Sequence, residues 1–497
     1  MSSEKLVMGF DVGTQSTKAV LYDVVAKEIV AVGSSPHDII QKGDGTSEQQ
    51  PDWWDTALKN SVAQLPADKV QAVRAIGVSG QQHGFVPLGK DGKVLYNAKL
   101  WNDTSTTTEC AEIEARFGGK QKMVEQVGNP MLPGYTAPKI AWLKNNRPEV
   151  YAQLATILLP HDYINYRLTG TLAMEYGDAS GTGLLNIRTR QWDTAMLKAL
   201  DPDRDLSSCL PELIAVPILG HVSESAAAEF GIPAGIPVCS GGGDNMMAAI
   251  GTGCVKSGVV SMSMGTSGTV FAFSDHPVID AKGEVAAFCD STNGWLPLVC
   301  TMNCTVATEL VRNMLQISVK ELDAAAEKVS PGSDGLLTLP FFTGERTPNL
   351  PNARGSLIGL SPLNFTTGHL ARSAMEAALF GLRYGLDAIR RNGVEPTTVH
   401  LTGGGAKSPL WRQMAADILG CDVCVPEIAE AAAFGAALKA LWVLEDETGK
   451  SDIAAITEAH VKLKDETISP NKDVQQIYNT VYENYLKAVN TVSPLFD

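Results

Sequence analysis

The sequence predicts an α/β chain of two domains with a duplicated core and a ligand cleft between them. Three observations predict it. The chain has 497 residues, more than one ordinary hydrophobic core supports. Short apolar β-type runs alternate with helical stretches along its length. Two similar turns recur half a chain apart: Gly13-Thr14-Gln15-Ser16-Thr17 and Gly265-Thr266-Ser267-Gly268-Thr269. Each follows an apolar run and precedes more β-type residues, as a duplicated hairpin would. The boundary is expected between Asp244 and Ser263, dividing the chain into 1–250 and 251–497.

The elements follow in order. Leu6–Phe10 and Ala19–Tyr22 are strands around the first turn, with Asp11 two residues before Gly13. Val73–Ser79 is a buried strand ending in Gly80-Gln81-Gln82-His83-Gly84, and polar groups at a strand's C-terminal end suit a ligand site. Trp101-Asn102-Asp103 offers an indole face, an amide and a carboxylate; it reads equally as a helix cap. Tyr135–Asn145 and Pro160–Leu168 are helices, the second ended by Gly170. Ile236–Cys239 is a strand running into Gly241-Gly242-Gly243, and Asp244 then opens a helix. Glycines there let a ligand approach the backbone, and helix-start N–H groups favour anions. Asp244 is the first candidate for chemistry, against a plain helix cap.

In the second half, Val259–Met264 is a strand, with Ser263 where the first half has Asp11. An acidic turn facing a neutral one suits Mg²⁺ on one side and phosphate on the other. Leu336–Phe341 is a strand, His369–Arg391 a long helix, and Thr398–Leu401 a strand into Gly403-Gly404-Gly405-Ala406. Trp411–Leu419 and Phe434–Leu444 are helices, and the last forty-odd residues form charged amphipathic helix.

Composition narrows the function. A net charge of −15 argues against nucleic acid and against an anionic membrane surface, yet allows a polyanion in a local cradle. No apolar run is long enough to cross a bilayer, and the N-terminus lacks a signal-peptide pattern, so a cytoplasmic location is expected. Nine scattered cysteines fit a reducing compartment. Cys421 and Cys424 have no second pair to complete a zinc set. There is no G-x-x-x-x-G-K-[ST] and no protein-kinase loop set. Four strand-end glycine turns and an isolated Asp form a kit for phosphoryl transfer from ATP with Mg²⁺. Paired turns of this kind look like the actin/Hsp70-type, ribonuclease H-like ATPase fold.

At these motifs the chain resembles the FGGY carbohydrate kinases, from about Val7 to about Leu444. The segments that carry the resemblance are Asp11–Lys18, Gly80–Gly84, Leu100–Asp103, Tyr135–Lys139, Asp162-Tyr163 with Arg167–Gly170, Asp178–Gly181, Gly241–Asn245, Met264–Gly268, Gly344–Pro348 and Thr402–Ser408. The resemblance implies that Asp244 is the general base on a sugar hydroxyl and that Asp11 helps hold Mg²⁺. It places Gly13, Thr14, Ser16, Thr17 and Lys18 on the phosphate side, with Gly265 and Thr266 opposite. Gly404, Gly405 and Ala406 would lie against adenosine. Gln82, His83, Trp101, Asn102 and Asp103 would bind the sugar, and Asn245 would hold Asp244 or a sugar hydroxyl. The implied substrate is a ketopentose, D-xylulose first, with D-ribulose or a related pentulose as the alternative. Two departures touch the pocket: Gln82 stands where Met is common, and Thr104-Ser105-Thr106 where an Arg is common. The rival class is a chaperone or cytoskeletal ATPase of the same fold, which needs no sugar pocket. The expected partners are the sugar and ATP alone, and a homodimer stays open.

Overall fold

Two mixed sheets carry the chain, and they share one strand order. The computed structural model describes residues 5–215, 217–445, 452–464 and 466–496. In the first sheet, Leu6–Val12 and Ser16–Asp23 form an antiparallel hairpin, and Glu28–Pro36 continues it. Val73–Gly80 lies parallel on the other side of Leu6–Val12, and Pro237–Cys239 is parallel to that strand. In the second sheet, Val259–Met264, Gly268–Ala272 and Leu298–Thr301 are the antiparallel strands. Thr398–Thr402 and then Asp422–Cys424 extend it in parallel. The duplication foreseen in the turns is thus a duplication of topology. Leu6–Val12 has no polar alternation because both faces of its sheet are covered.

Helix boundaries follow local signals. Pro160–Thr169 has proline at its start and ends at Gly170, whose φ is 77°. Pro409–Leu419 runs from a Ser408 cap, whose side chain accepts from Trp411 N–H, to Gly420. Thr136–Asn146 and Thr367–Arg391 lie within two residues of expectation. The strand expected over Leu336–Phe341 shortens to Leu337–Leu339. The C-terminal helix resolves into Ile453–His460 and Lys472–Val492. The latter buries Tyr478, Tyr482, Tyr485 and Val489, one stripe of an amphipathic helix.

Two helices cross between the sheets with their backbones almost touching. A methyl group at Gly435, in Ala431–Glu445, would lie 1.7 Å from the Met247 carbonyl oxygen, and one at Gly251 would lie 1.9 Å from that of Ala431. Ala431–Glu445 belongs to the second half of the chain but lies on the first sheet. Methyls at Gly9 and Gly77 would meet the carbonyl oxygens of Ala433 and Ala436 at 1.9 and 2.0 Å. One apolar cluster joins Val7 and Ala75 of the first sheet, Val259 and Phe271 of the second, and Ile250 and Phe434 of the two helices.

A second crossing joins the two halves elsewhere. The segment between Ala272 and Leu298 leaves the second sheet and docks on the first half. Asn129 exchanges two 2.8 Å hydrogen bonds with the Ala287 backbone. Cys289 N–H donates to Ser180 Oγ at 3.0 Å, and Trp295 Nε1–H donates to the Ile187 carbonyl at 3.1 Å.

Candidate active site

Strand register brings the two candidate carboxylates to one level. Asp11 pairs with Ser79, and Ser79 pairs on its other side with Gly242. Asp244 opens its helix directly after this pairing, at the C-terminal ends of parallel strands. Ser79 Oγ–H donates to Asp11 Oδ1 at 2.9 Å. Asp244 Oδ1 accepts from Asn245 N–H at 2.8 Å and from Asn245 Nδ2–H at 3.1 Å. Burial pushes the Asp244 carboxyl up to about 8, and the negative charges of Asp11 and Asp178 add to the shift. Burial also raises Asp11, to about 6, against the Ser79 hydrogen bond and the Lys18 charge. Two buried carboxylates whose charges repel would gain from a nearby cation. Among the described residues no group of three His, Cys, Asp or Glu is gathered for a metal. One or two carboxylates with room for phosphate and water is what Mg²⁺ takes.

The glycines divide into two kinds. Those of Gly241–Gly243 are filled by protein: methyls there would meet the Val78 carbonyl oxygen at 2.3 Å, Ser291 Oγ at 2.4 Å and Gln82 Cγ at 2.6 Å. Their bareness serves packing, which corrects the expectation of a ligand at that run. Gly13 and Gly404 are different. A methyl at Gly404 would meet nothing within 4 Å, and one at Gly13 only the Ser16 carbonyl oxygen at 3.4 Å. Neither has a positive φ. Neither packing nor backbone conformation requires a glycine there, which leaves room for the ligand approach expected from the sequence. Gly403 has φ 87° and lies against the Met264 backbone, so the Gly404-Gly405-Ala406 turn sits beside the Gly265-Thr266 turn. The carbonyls of Gly265 and Thr266 accept from Thr305 and Cys304 N–H at 2.9 Å.

The residues of the first turn, expected on the phosphate side, have distinct surroundings. Gly13 N–H donates to the Ser16 carbonyl at 3.1 Å. Thr17 is fully buried and its Oγ1 has no protein partner. Thr14 is gripped twice: Trp101 Nε1–H donates to its hydroxyl at 3.0 Å, and Gln49 Nε2–H to its carbonyl at 2.7 Å. Trp101, expected beside the sugar ring, braces the Gly13–Thr17 turn. Lys18 was expected at the phosphates; its ammonium is instead paired with Glu430, just before Ala431–Glu445.

Among the residues expected to bind the sugar, His83 adopts a left-handed backbone, φ 62°. A non-glycine residue there is strained and must be held by its surroundings. The hold is visible: the His83 carbonyl accepts from Lys139 Nζ at 2.7 Å and from Thr136 Oγ1 at 3.1 Å. Burial lowers the Lys139 ammonium to about 7. The His83 ring sits between Tyr135 and Phe288, and a methyl at Gly181 would come within 2.0 Å of it. Burial lowers His83, so the ring is neutral near pH 7. Asp178 Oδ1 accepts from His83 N–H at 3.3 Å, and its Oδ2 is 3.1 Å from His161 Nδ1. His161 Nε2 lies 2.9 Å from Asp162 Oδ1. Burial opposes a charge on His161, but the two carboxylates outweigh it and hold the imidazolium well above the ordinary range.

Asn102 Oδ1 is buried without a protein partner, which suits a ligand hydroxyl. Asp103 has no such vacancy and corrects the expectation of a sugar contact. Its oxygens accept from Ser47 N–H, Lys99 Nζ, Ser105 N–H and Ser105 Oγ. It anchors the turn that carries Trp101 and Asn102.

Comparison with known proteins decides the family. Residues 6–251 match the model of the FGGY family of carbohydrate kinases, N-terminal domain, and residues 260–444 match the C-terminal domain of that family. The chain belongs to the FGGY carbohydrate kinases. As an FGGY kinase it is an ATP-dependent sugar kinase, with the actin/Hsp70-like fold in two α/β units. It is 41% identical over 490 residues to a xylulose kinase of Haemophilus influenzae, covering 97% of this chain and 99% of that one. A ligand-bound xylulose kinase from Lactobacillus acidophilus superposes with a TM-score of 0.90 at 27% identity, over 99% of each chain. A gluconate kinase from the same organism gives 0.90 at 26% identity, over 99% of each chain. Fold similarity within the FGGY kinases therefore does not choose the sugar. Roles for Asp178, His161 and Lys139 were missed in the sequence, although their motifs stand out there. Their one signal is that charged groups sit in otherwise small or apolar runs.

Proposed function

We propose that the chain phosphorylates the terminal primary hydroxyl of D-xylulose, with Asp244 as general base and Asp11 as the anchor for Mg²⁺. The observation that carries the reading is the carboxylate pair at the strand ends. Asp244 stands at a helix start, with Oδ1 held by two N–H groups and its carboxyl raised to about 8. A sugar hydroxyl does not ionise in advance at neutral pH. Its proton must pass to a positioned group as the bond to phosphorus forms, and a carboxylate of raised basicity is better matched to it than an ordinary one. Asn102 Oδ1, and the ring of His83, whose backbone N–H donates to Asp178, give a polyhydroxy chain buried polar partners. Bound with ATP beside Asp11, Mg²⁺ would supply neutralising charge for the phosphates and, by offsetting the repulsion from Asp11, would favour the ionised form of Asp244 that accepts the proton. The residues of this chain hold the sugar, accept the proton and keep water from the phosphates.

D-xylulose is proposed because the full-length relative at 41% identity is a xylulose kinase. The test is a coupled assay with D-xylulose, D-ribulose, L-xylulose, L-ribulose, gluconate and glycerol. D-xylulose is expected to have the highest kcat/KM; a better substrate among the others would overturn the choice of sugar. Asp244→Asn is expected to fold and bind ATP while losing ~10²–10⁴-fold in rate. A loss below about tenfold would remove the base assignment.

A further inference from the structure

Gln82 lies across the backbone that carries Asp244. It is 5% exposed, and a methyl at Gly243 would collide with its Cγ at 2.6 Å. Both polar atoms of its amide already have protein partners. Oε1 accepts from Asn245 Nδ2–H at 2.6 Å, and Nε2 lies 3.1 Å from Met246 Sδ. Asn245 Nδ2 is also 3.1 Å from Asp244 Oδ1. The two hydrogens of one amide are thus divided between Gln82 and Asp244.

We propose that Gln82 is a positioning residue: it clamps the amide of Asn245, and through it the carboxylate of Asp244, and does not contact the sugar. The argument is one of orientation. An Asn side chain can present either its carbonyl or its NH₂ to a neighbour. With the Gln82 carbonyl facing it, a flipped Asn245 would set oxygen against oxygen on Gln82 and oxygen against carboxylate on Asp244. Gln82 therefore fixes which way Asn245 points. Asp244 Oδ1 then takes two N–H groups, and Oδ2 is the oxygen turned to the substrate hydroxyl. A thioether at position 82 accepts a hydrogen bond weakly and would leave Asn245 free to turn. The departure at Gln82 is in this view a change in how the base is held, not in which sugar is bound.

The inference rests on Asp244 being the base, and the experiment separates the two. Gln82→Met, Asn245→Ala and the double variant are assayed with D-xylulose and ATP, beside Gln82→Glu and Asp244→Asn. Gln82→Met is expected to lower kcat by about tenfold to a hundredfold, the scale of a small misplacement of a reacting group. Its KM for D-xylulose should stay within about threefold, because no sugar contact is lost. The double variant should be no slower than the slower single one, since both act through one link. Gln82→Glu keeps the acceptor but adds a buried negative charge near Asp244, as Asp11 and Asp178 already do, so it should move the pH profile of kcat upward while keeping KM for D-xylulose near the parent's. Losses that multiply in the double variant would overturn the clamp, as would a raised sugar KM at unchanged kcat, or no loss at all. If Asp244→Asn keeps its rate, the base reading fails first. If Asp244→Asn is inactive and the cycle is multiplicative, only the role of Gln82 fails.

Discussion

Replacing Asp178 by Asn tests the buried charge that supports His83. Burial works to raise the Asp178 carboxyl, but hydrogen bonds from His161 and His83 and the charge of the His161 imidazolium win and hold it at about 2. A fall from 3.8 to about 2 corresponds to about 2 kcal/mol, on the order of 1.4 kcal/mol per unit. Because the folded-state value is depressed, this stability is present above the unfolded value and lost as pH falls toward 2. About half of it remains at pH 3. Asp178→Asn removes it and leaves the His161 imidazolium with Asp162 alone, 2.9 Å away. Urea unfolding of parent and variant, followed by tryptophan fluorescence at pH 7, 4 and 3, is the assay. The variant is expected to be less stable by about 2–3 kcal/mol at pH 7 and pH 4, the gap shrinking to about half by pH 3. KM for the sugar should rise, because the His83 N–H loses its carboxylate. A gap under about 0.5 kcal/mol at pH 7, or one that widens toward pH 3, would refute the reasoning.

Three more outcomes follow from the same geometry. Asp11→Ala should raise the Mg²⁺ concentration needed for half-maximal rate and slow turnover, while calorimetry shows sugar affinity nearly unchanged; lost sugar affinity with the same metal dependence would count against it. Gly181→Ala puts a methyl within 2.0 Å of the His83 ring, so KM for the sugar should rise about tenfold or more with KM for ATP unchanged. Gly404→Ala meets no protein atom within 4 Å, so its melting temperature should match the parent while KM for ATP rises. An unchanged KM for ATP would show that nucleotide does not approach that glycine.

What was legible in the sequence was local. The turns, the strands before them and the helix after Asp244 are each signalled within a dozen residues, by glycine, by apolar runs and by caps. Asp11 and Asp244 stood out because an acid beside a phosphate turn is costly without a role. What was not legible depends on distant segments meeting. Asp103 resembles a ligand in isolation; only the approach of Ser47 and Lys99 shows that its oxygens are taken. Gly241–Gly243 and Gly404 are alike in sequence, and only their neighbours separate packing from approach. Asp178, His161 and His83 come from three stretches, so their network has no spacing of its own. Ala431–Glu445 announced itself by small residues, a sign of close backbone contact, but not that its bed is the first sheet.

That last placement bears on how the protein is made. A ribosome releases the strands of the first sheet well before the helix that covers them. Roughly 190 residues separate Cys239 from Ala431, and at ~5–20 residues per second their synthesis takes about 10–40 s. For that interval the groove at Gly9 and Gly77, with Val7 and Ala75 around it, has no helix to fill it. The growing chain carries an unfinished apolar seam that its own end must close. Nascent chains arrested before Ala431 should therefore be captured by chaperones or aggregate, and those carried past Glu445 should be released.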